Sequence, residues 1–229
     1  MVELSKRLNL IASFVEADSR VCDVGTDHGY LPAFLYLSGK CKCVTATDIN
    51  QKPLESARQN LKRLGADGVN LVLCDGLSGV EQDSIDTVII AGMGGEVISG
   101  IIARAEFLRD SAKSLILQPT TAAKQLRVFL AQNGFNIERE QAVKENGKIY
   151  SVMLVRFCGA PYKISETRAL IGLLKPDCPD STAYIEKQYN IAKKCAVQLK
   201  GVLHKQDEYN NYLKLSEDLK NILGVYNGF

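Results

Sequence analysis

The stretch Arg20-Val21-Cys22-Asp23-Val24-Gly25-Thr26-Asp27-His28-Gly29-Tyr30-Leu31-Pro32 decides the fold of this chain. Residues 20–24 have the apolar character of a short buried strand, residues 25–29 form a turn bounded by glycines, and the apolar residues from Leu31 onward predict a helix. A strand that passes through glycines into a helix points backbone N–H groups at the sheet edge where open α/β proteins bind nucleotides. The stretch therefore predicts an α/β protein with a nucleotide-like ligand at the end of this strand.

Strands and helices alternate along the chain as far as residue 160. Strands are predicted at 20–24, 43–47, 69–74, 85–91, 113–118, 135–144 and 148–157, and helices at 4–16, 31–38, 53–64, 96–105 and 121–132. Glu145-Asn146-Gly147 joins the last two strands as a hairpin. This order predicts a mostly parallel sheet of seven strands with an antiparallel edge.

The pattern changes after Gly159-Ala160-Pro161, which is the predicted boundary between a domain at 1–160 and a second domain at 161–229. Helices are predicted at 163–175, 181–203 and 205–223. Apolar residues three and four apart along the last two predict a coiled-coil hairpin that reverses at 201–205. The tail lysines are candidates for nucleic-acid contacts or for ordinary solvated helix faces: Lys187, Lys193, Lys194 and Lys200.

The composition is that of an ordinary globular protein, with 229 residues, 46% hydrophobic, 24% charged and a net charge of +2. This small positive excess permits a nucleic-acid partner without requiring one. The seven cysteines include no C-x-x-C pair and are interpreted as reduced thiols rather than disulfides or zinc ligands. The sequence does not show the pattern of a signal peptide. It also contains no run that approaches the ~20 apolar residues of a membrane-spanning helix. We expect a cytoplasmic monomer without a metal or a membrane partner.

The glycine turn departs from the dinucleotide fingerprint at its second glycine position, which Asp27 occupies. An anionic side chain there would repel a pyrophosphate, which argues against an NAD-dependent oxidoreductase. S-adenosylmethionine has no phosphate and carries a positive sulfonium, so neighbouring carboxylates favour it. Asp48 ends the second strand at a spacing suited to ribose hydroxyls, and Asp75-Gly76 follows the third strand, where the adenine ring is expected.

With this motif in place, the chain resembles the bacterial tRNA (adenine-22) methyltransferase family, TrmK. Beyond Asp23–Pro32, the resemblance is carried by residues 4–8, 86–95, 115–119 and 145–150, and it covers essentially the whole chain. It implies a class I methyltransferase sheet, Rossmann-like, with an antiparallel last strand and a C-terminal helical coiled-coil hairpin that contacts tRNA. It also implies methyl transfer from S-adenosylmethionine to ring nitrogen 1 of adenine, with S-adenosylhomocysteine as the other product.

The strand ends and the resemblance together predict the site residues. Predicted cofactor contacts are Asp23, Gly25, Thr26, Asp27, Gly29, Asp48, Ile49, Asp75, Gly76 and Gly92. Predicted substrate contacts are Arg7, Tyr30, Gly94, Gly95, Gln118, Lys148 and Tyr150. Asp27 is the predicted base or stabiliser of the cationic product, with His28 as the alternative, and Met93 is expected to pack near the purine.

Two other functions stay open at this point. The first is a methyltransferase that acts on another RNA or on a small molecule. The second is a non-catalytic RNA-binding protein of the same fold, which the complete set of strand-end acids argues against. A fold alone does not define a substrate.

Overall fold

The computed structural model describes residues 2–227 and forms one seven-stranded sheet flanked by helices. The strands are β1 (Ser19–Val24), β2 (Cys41–Asp48), β3 (Asn70–Leu73), β4 (Thr87–Gly94), β5 (Ser114–Thr121), β6 (Phe135–Glu145) and β7 (Lys148–Phe157). The helices are α1 (Lys6–Phe14), α2 (Tyr30–Leu37), α3 (Gln51–Leu64), α4 (Gly95–Arg104), α5 (Ala123–Gln132), α6 (Glu166–Ile171), α7 (Pro179–Leu199) and α8 (Gln206–Asn227). None of the described helices is long and apolar enough to cross a membrane.

The strand order is β3-β2-β1-β4-β5-β7-β6, and β7 runs antiparallel to both of its neighbours. The predicted antiparallel edge and antiparallel last strand are confirmed: the β6–β7 hairpin forms this edge of the sheet, with β7 inserted between β5 and β6. The burial of the two strands explains this arrangement. Residues Val152 and Met153 of β7 are buried in succession, whereas β6 alternates between buried and exposed positions.

Two apolar layers cover the faces of the sheet. Successive side chains of a strand point to opposite faces, so Ile89 belongs to one layer while Val88 and Ile90 belong to the other. The first layer also contains residues of α1 and α2, and the second contains residues of α4 and α5: Ile11, Phe14 and Leu35 in the first, and Ile98, Leu126 and Leu130 in the second. The central strands are thus covered on both sides, which leaves their ends as the accessible part of the sheet.

Two predicted helices differ from those observed. The helix predicted at 121–132 begins only at Ala123, because Thr121 still belongs to β5 and Ala122 takes a left-handed conformation with φ of 54°. The helix predicted at 163–175 is reduced to α6, because Gly172 turns the chain with φ of 60° and ψ of −130°. This turn lets the backbone N–H of Leu173 donate to Glu140 of β6 at 2.9 Å.

The C-terminal helices dock on the sheet around one buried arginine. Arg127 of α5 and Glu140 of β6 form an ion pair at 2.7 Å, and both side chains are fully buried. The guanidinium also donates to the carbonyls of Ala169 and Leu170, each at 2.9 Å, and to the hydroxyl of Tyr184 at 3.2 Å. The tail is therefore joined to the sheet by buried polar contacts as well as by the chain.

Helices α7 and α8 form the predicted hairpin and reverse between Leu199 and Gln206. Its buried seam contains five residues from the two helices: Ile185, Ala192, Ala196, Leu215 and Leu219. Gln188 and Cys195, which continue the same three- and four-residue spacing, are only half-buried, and Val202 is exposed because it lies beyond the end of α7. Residues 228–229 of the predicted second domain lie outside the described residues.

Candidate active site

A cavity of about 590 Å³ opens at the carboxyl ends of β1, β2, β3 and β4. The strand order reverses here, since β2 and β4 flank β1, and this is where open α/β sheets bind ligands. The structure brings six of the predicted residues together in the cavity lining: Gly25, Asp48, Ile49, Asp75, Gly76 and Met93.

The first half of the glycine turn lines the cavity through Gly25, which has no side chain. Gly25 has φ of 77°, and the N–H groups of Gly25 and Thr26 both donate to the carbonyl of Thr47, at 2.8 and 3.0 Å. A Cβ added at Gly25 would overlap the terminal methyl group of Met93. Glycine at this position therefore lets the Met93 side chain lie directly over the turn.

A buried carboxyl and a buried hydroxyl lie beside this turn. Asp23 and Thr26 are 5% and 8% exposed. Burial, reinforced by the nearby Asp48 carboxylate, raises the pKa of Asp23 to about 6, although the Thr26 hydroxyl lies close enough to lower it in part. That hydroxyl makes no hydrogen bond of normal geometry, and it is the single buried side-chain oxygen or nitrogen without a partner among residues 2–224, whose side chains the structure describes. This pair is suited to a polar ligand that carries positive charge.

Two further carboxylates lie at the ends of β2 and β3. Asp48 is buried, and its Oδ1 accepts the N–H of Asn50 at 2.8 Å, which leaves its second oxygen for a ligand. Asp75 is more exposed and pairs with Arg104 at 3.1 Å. Ile49 and Val97 are 62% and 55% exposed at the cavity rim, where apolar side chains can cover a flat ring.

The second half of the turn lies outside the cavity lining. Asp27 has φ of 49°, which aspartate tolerates better than most residues, and its Oδ2 lies 3.4 Å from Nε2 of His28. Both side chains are more than half exposed, and Nδ1 of His28 lies 3.1 Å from the hydroxyl of Ser56. Gly29 lies directly before α2, where a Cβ would lie 3.1 Å from that of Ala57. Asp27 and His28 are thus free to meet a substrate, and Gly29 allows close packing against α3.

Gln118 is placed differently from its prediction as a substrate contact. It is fully buried, and its Oε1 accepts both Nη1 of Arg7 at 2.6 Å and the N–H of Gly92 at 3.2 Å. Its amide nitrogen donates to the carbonyl of Pro119 at 2.9 Å. With its polar atoms engaged, Gln118 fixes the carboxyl end of β4 instead of facing a substrate.

Arg7 links helix α1 to this part of the site. Its backbone N–H and Nε donate to Glu145 at 3.0 and 3.3 Å, and its guanidinium lies 5.9 Å from the ring centre of Tyr150. Although burial opposes it, the hydrogen bond from the Arg7 backbone lowers the pKa of Glu145. Arg7 and Tyr150 are therefore assembled at the same sheet edge as Gly92.

The other predicted substrate residues occupy varied positions. Tyr30 is 39% exposed, with its ring centre 6.1 Å from that of His28, and Lys148 is exposed. Gly94 ends β4, where it pairs with Thr121. Gly95 is buried, and a Cβ there would overlap the carbonyl oxygen of Ala122, so this glycine permits close packing of α4 and the start of α5.

Sequence reasoning missed the contribution of α4 to the cavity. Its first turns supply part of the lining: Glu96, Val97, Gly100, Ile101 and Arg104. Their spacing of three and four residues, directly after Gly94-Gly95, is the signal that could have found them. Within residues 2–227, no group of three or more His, Cys, Asp or Glu side chains is arranged to hold a metal ion.

Comparisons with known proteins identify the family. A family model described as a methyltransferase domain matches residues 4–153. The tRNA (adenine(22)-N(1))-methyltransferase of Bacillus subtilis (strain 168) is 30% identical over 154 residues, which are 67% of this chain and 65% of that protein, just under two thirds of its length.

Two solved structures extend the similarity into the helical tail. Sp1610 of Streptococcus pneumoniae, provisionally described as a tRNA (m1A22) methyltransferase, has a TM-score of 0.83 at 30% identity, over 96% of this chain and 100% of that one. M. capricolum TrmK, in complex with its cofactor product S-adenosylhomocysteine, has a TM-score of 0.78 at 25% identity, over 96% and 99% of the two chains. This chain therefore belongs to the methyltransferase family and, within it, to the TrmK family.

Proposed function

We propose that this protein transfers a methyl group from S-adenosylmethionine to ring nitrogen 1 of adenine 22 in tRNA. The observation that carries the proposal is the buried Asp23 carboxyl, next to the unpartnered Thr26 hydroxyl and to Gly25 of the cavity lining. A cationic amino-acid group and a sulfonium fit this carboxylate-lined cavity, whereas a pyrophosphate would be repelled by it. The names of the B. subtilis and S. pneumoniae relatives support tRNA as the acceptor.

Each part of S-adenosylmethionine has suitable residues in the cavity lining or, for Asp23 and Thr26, buried beside the lining residues Val24 and Gly25. Asp23 and Thr26 would hold the amino-acid end. Asp48 has a carboxylate oxygen available for the ribose hydroxyls. The exposed Ile49 and the Asp75-Gly76 turn would hold the adenine ring. S-adenosylmethionine supplies the methyl group as an electrophile, and the protein then has to place the target nitrogen in line with it.

Binding of S-adenosylhomocysteine should weaken as the pH falls through about 6, the pKa of Asp23. The ionised Asp23 carboxylate attracts the ammonium group of the ligand, and protonation of Asp23 removes this attraction. A carboxyl of this pKa is about one-tenth ionised at pH 5, so the dissociation constant should rise roughly tenfold between pH 7 and pH 5. Calorimetry across this range, with Asp23→Asn as the control with a flat profile, checks the prediction. A flat wild-type profile would remove Asp23 from ligand binding.

The acceptor side of the site suits a ring nitrogen. N1 of adenine already offers a lone pair, so the protein has no need to remove a proton before transfer. After methylation the adenine is cationic and its exocyclic amine is acidic. Asp27 is proposed to accept a proton from this amine or to stabilise the cation electrostatically. The target nitrogen lies on the Watson–Crick edge, so the nucleotide has to be unpaired or flipped.

Asp27→Asn should lower the single-turnover rate by about a hundredfold, because it removes the carboxylate that stabilises the positive charge developing on the adenine during transfer. Affinity for S-adenosylhomocysteine should stay within tenfold, because the Asp27 side chain is exposed and lies outside the cavity lining. Asp18→Asn is a matched control, since Asp18 is an exposed aspartate that also has positive φ, 62°. Loss of rate and affinity together would reassign Asp27 to cofactor binding, and an unchanged rate would exclude it from stabilising the transition state.

Residues 161–229 are proposed as a second domain that contacts tRNA. The similarity of solved TrmK-family structures over 96% of the chain supports a tail shared with those proteins. The proposal also includes a monomeric enzyme in the cytoplasm, which light scattering of the purified protein and fractionation of cells would check.

Transfer of labelled methyl groups to tRNA tests the proposed function. Unmodified tRNA with adenine at position 22 should accept label, and the same tRNA with guanine at that position should not. Equal labelling of both would keep tRNA as the substrate class but contradict the position. No labelling of either, with S-adenosylhomocysteine binding intact, would favour a different RNA or a small-molecule acceptor.

A further inference from the structure

A second cleft of about 240 Å³ lies where the sheet meets the helical tail. Its walls are the segment 119–125, which leads from β5 into α5, residues 149–151 of β7, and side chains of α6 and α7. We call this the junction cleft. It is smaller than the cavities of ~300–1,000 Å³ that hold whole small-molecule ligands, so it suits one part of a longer chain.

The junction cleft adjoins the proposed site of methyl transfer. The hydroxyl of Thr120 donates to the carbonyl of Met93 at 3.0 Å, and Thr121 pairs with Gly94 in the sheet. Tyr150 lines the cleft and is also the ring beside the Arg7 guanidinium. An RNA strand whose target nucleotide lies at the end of β4 would thus place a neighbouring nucleotide in the cleft.

The walls of the junction cleft are held together by the buried Arg127. This guanidinium donates to the hydroxyl of Ser151 from β7, to the carbonyl of Leu170 from α6 and to the hydroxyl of Tyr184 from α7. All three acceptors belong to residues that line the cleft. The cleft is therefore set in shape before any ligand arrives, which lowers the entropic cost of binding.

The charge of the junction cleft is opposite to that of the cofactor cavity. Its lining contains Lys124 and Lys187 and no acidic residue, whereas the cofactor cavity is lined by Asp48, Asp75 and Glu96. Lys124 is paired with Glu166. Lys187 makes no ion pair in the part of the chain that the structure describes. An ammonium group among hydroxyls and amides is suited to a phosphate.

We propose that the junction cleft receives the ribose and phosphate of a nucleotide next to the target adenosine, with Lys187 as the phosphate contact. The inference rests on the proposed function and deepens it, since it defines how the strand around the target base is held. Lys187 is a binding residue in this account and touches no reacting atom.

Lys187→Gln should lower kcat/KM for tRNA about tenfold, the usual scale for one charge-assisted contact to phosphate. The salt dependence of tRNA binding should also fall by about 0.7–1 in log–log slope. Lys187→Arg should retain most of the activity. Lys214→Gln is the matched control, because Lys214 is an exposed lysine of the same hairpin that lines none of the described cavities. This control should stay within twofold of the wild type in the same assay, which sets the scale for a charge lost elsewhere on the tail.

Modified tRNA makes the test specific to the cleft. A neutral methylphosphonate placed at one of the phosphates flanking the target adenosine should itself reduce activity and should abolish the penalty of Lys187→Gln. Two results would overturn the inference while the proposed function stands. Lys187→Gln could lower kcat/KM no more than Lys214→Gln does, or its loss of kcat/KM could be the same on every methylphosphonate-containing tRNA as on unmodified tRNA. Failure of the wild-type protein to methylate unmodified tRNA would overturn both, and it would be seen before any variant is made.

Discussion

Arg127→Met should lower the free energy of unfolding by about 3–5 kcal/mol, because it leaves the Glu140 carboxylate buried without a charged partner. For a chain of this size the thermal midpoint should fall by roughly 10 °C. The loss also removes the guanidinium that joins the backbone of Ala169 and Leu170 to the sheet. Thermal and urea denaturation measure the effect.

Arg156→Met is the matched control for this prediction. Arg156 lies on β7 and pairs with the exposed Glu16 and Glu138, so its removal should cost at most about 1 kcal/mol. Replacing Arg127 and Glu140 together with apolar residues should recover much of the stability. Equal stability of the two single variants would contradict the proposed importance of the buried pair.

The buried pair also decides how the tail should be tested. Deleting residues 161–229 would remove three acceptors of the Arg127 guanidinium and expose the pair, so activity lost on truncation would report instability as well as tRNA contacts. Surface substitutions on the intact chain avoid this problem.

Asp48→Ala should weaken the binding of S-adenosylhomocysteine by about a hundredfold, through the loss of two hydrogen bonds from ribose hydroxyls to a carboxylate. Asp48→Asn keeps an acceptor for the N–H of Asn50 and should weaken binding less. Asp67→Ala, at an exposed position outside the cavity, controls for the change in net charge. Calorimetry that finds all three variants within twofold of the wild type would contradict the assignment of the cavity.

Local patterns predicted part of the lining of the cavity at the sheet edge. The strand, the glycine turn and the strand-end acids are each encoded within a few residues, and parallel strands bring Asp48 and Asp75 to the same edge as Gly25. The lining from α4 was within reach of the same reasoning, since its residues follow a helical spacing.

Contacts between distant parts of the chain were not predictable in this way. Nothing around Arg127 or Glu140 shows that they pair across 13 residues, or that the tail, from 42 residues further on, supplies three more acceptors. The same limit explains the early end of α6 at Gly172 and the burial of Gln118 against Arg7. The interior position of β7 likewise depends on which hairpin strand pairs with β5, a choice that local pattern does not define.

Nucleoside analysis of the reaction product tests the central claim most directly. The protein would be incubated with S-adenosylmethionine and unmodified tRNA, and the digested tRNA would be analysed by mass spectrometry, with primer extension to map the position. We expect 1-methyladenosine at position 22. A methyl group on the exocyclic amine, or no methylated nucleoside from protein that binds S-adenosylhomocysteine, would contradict it.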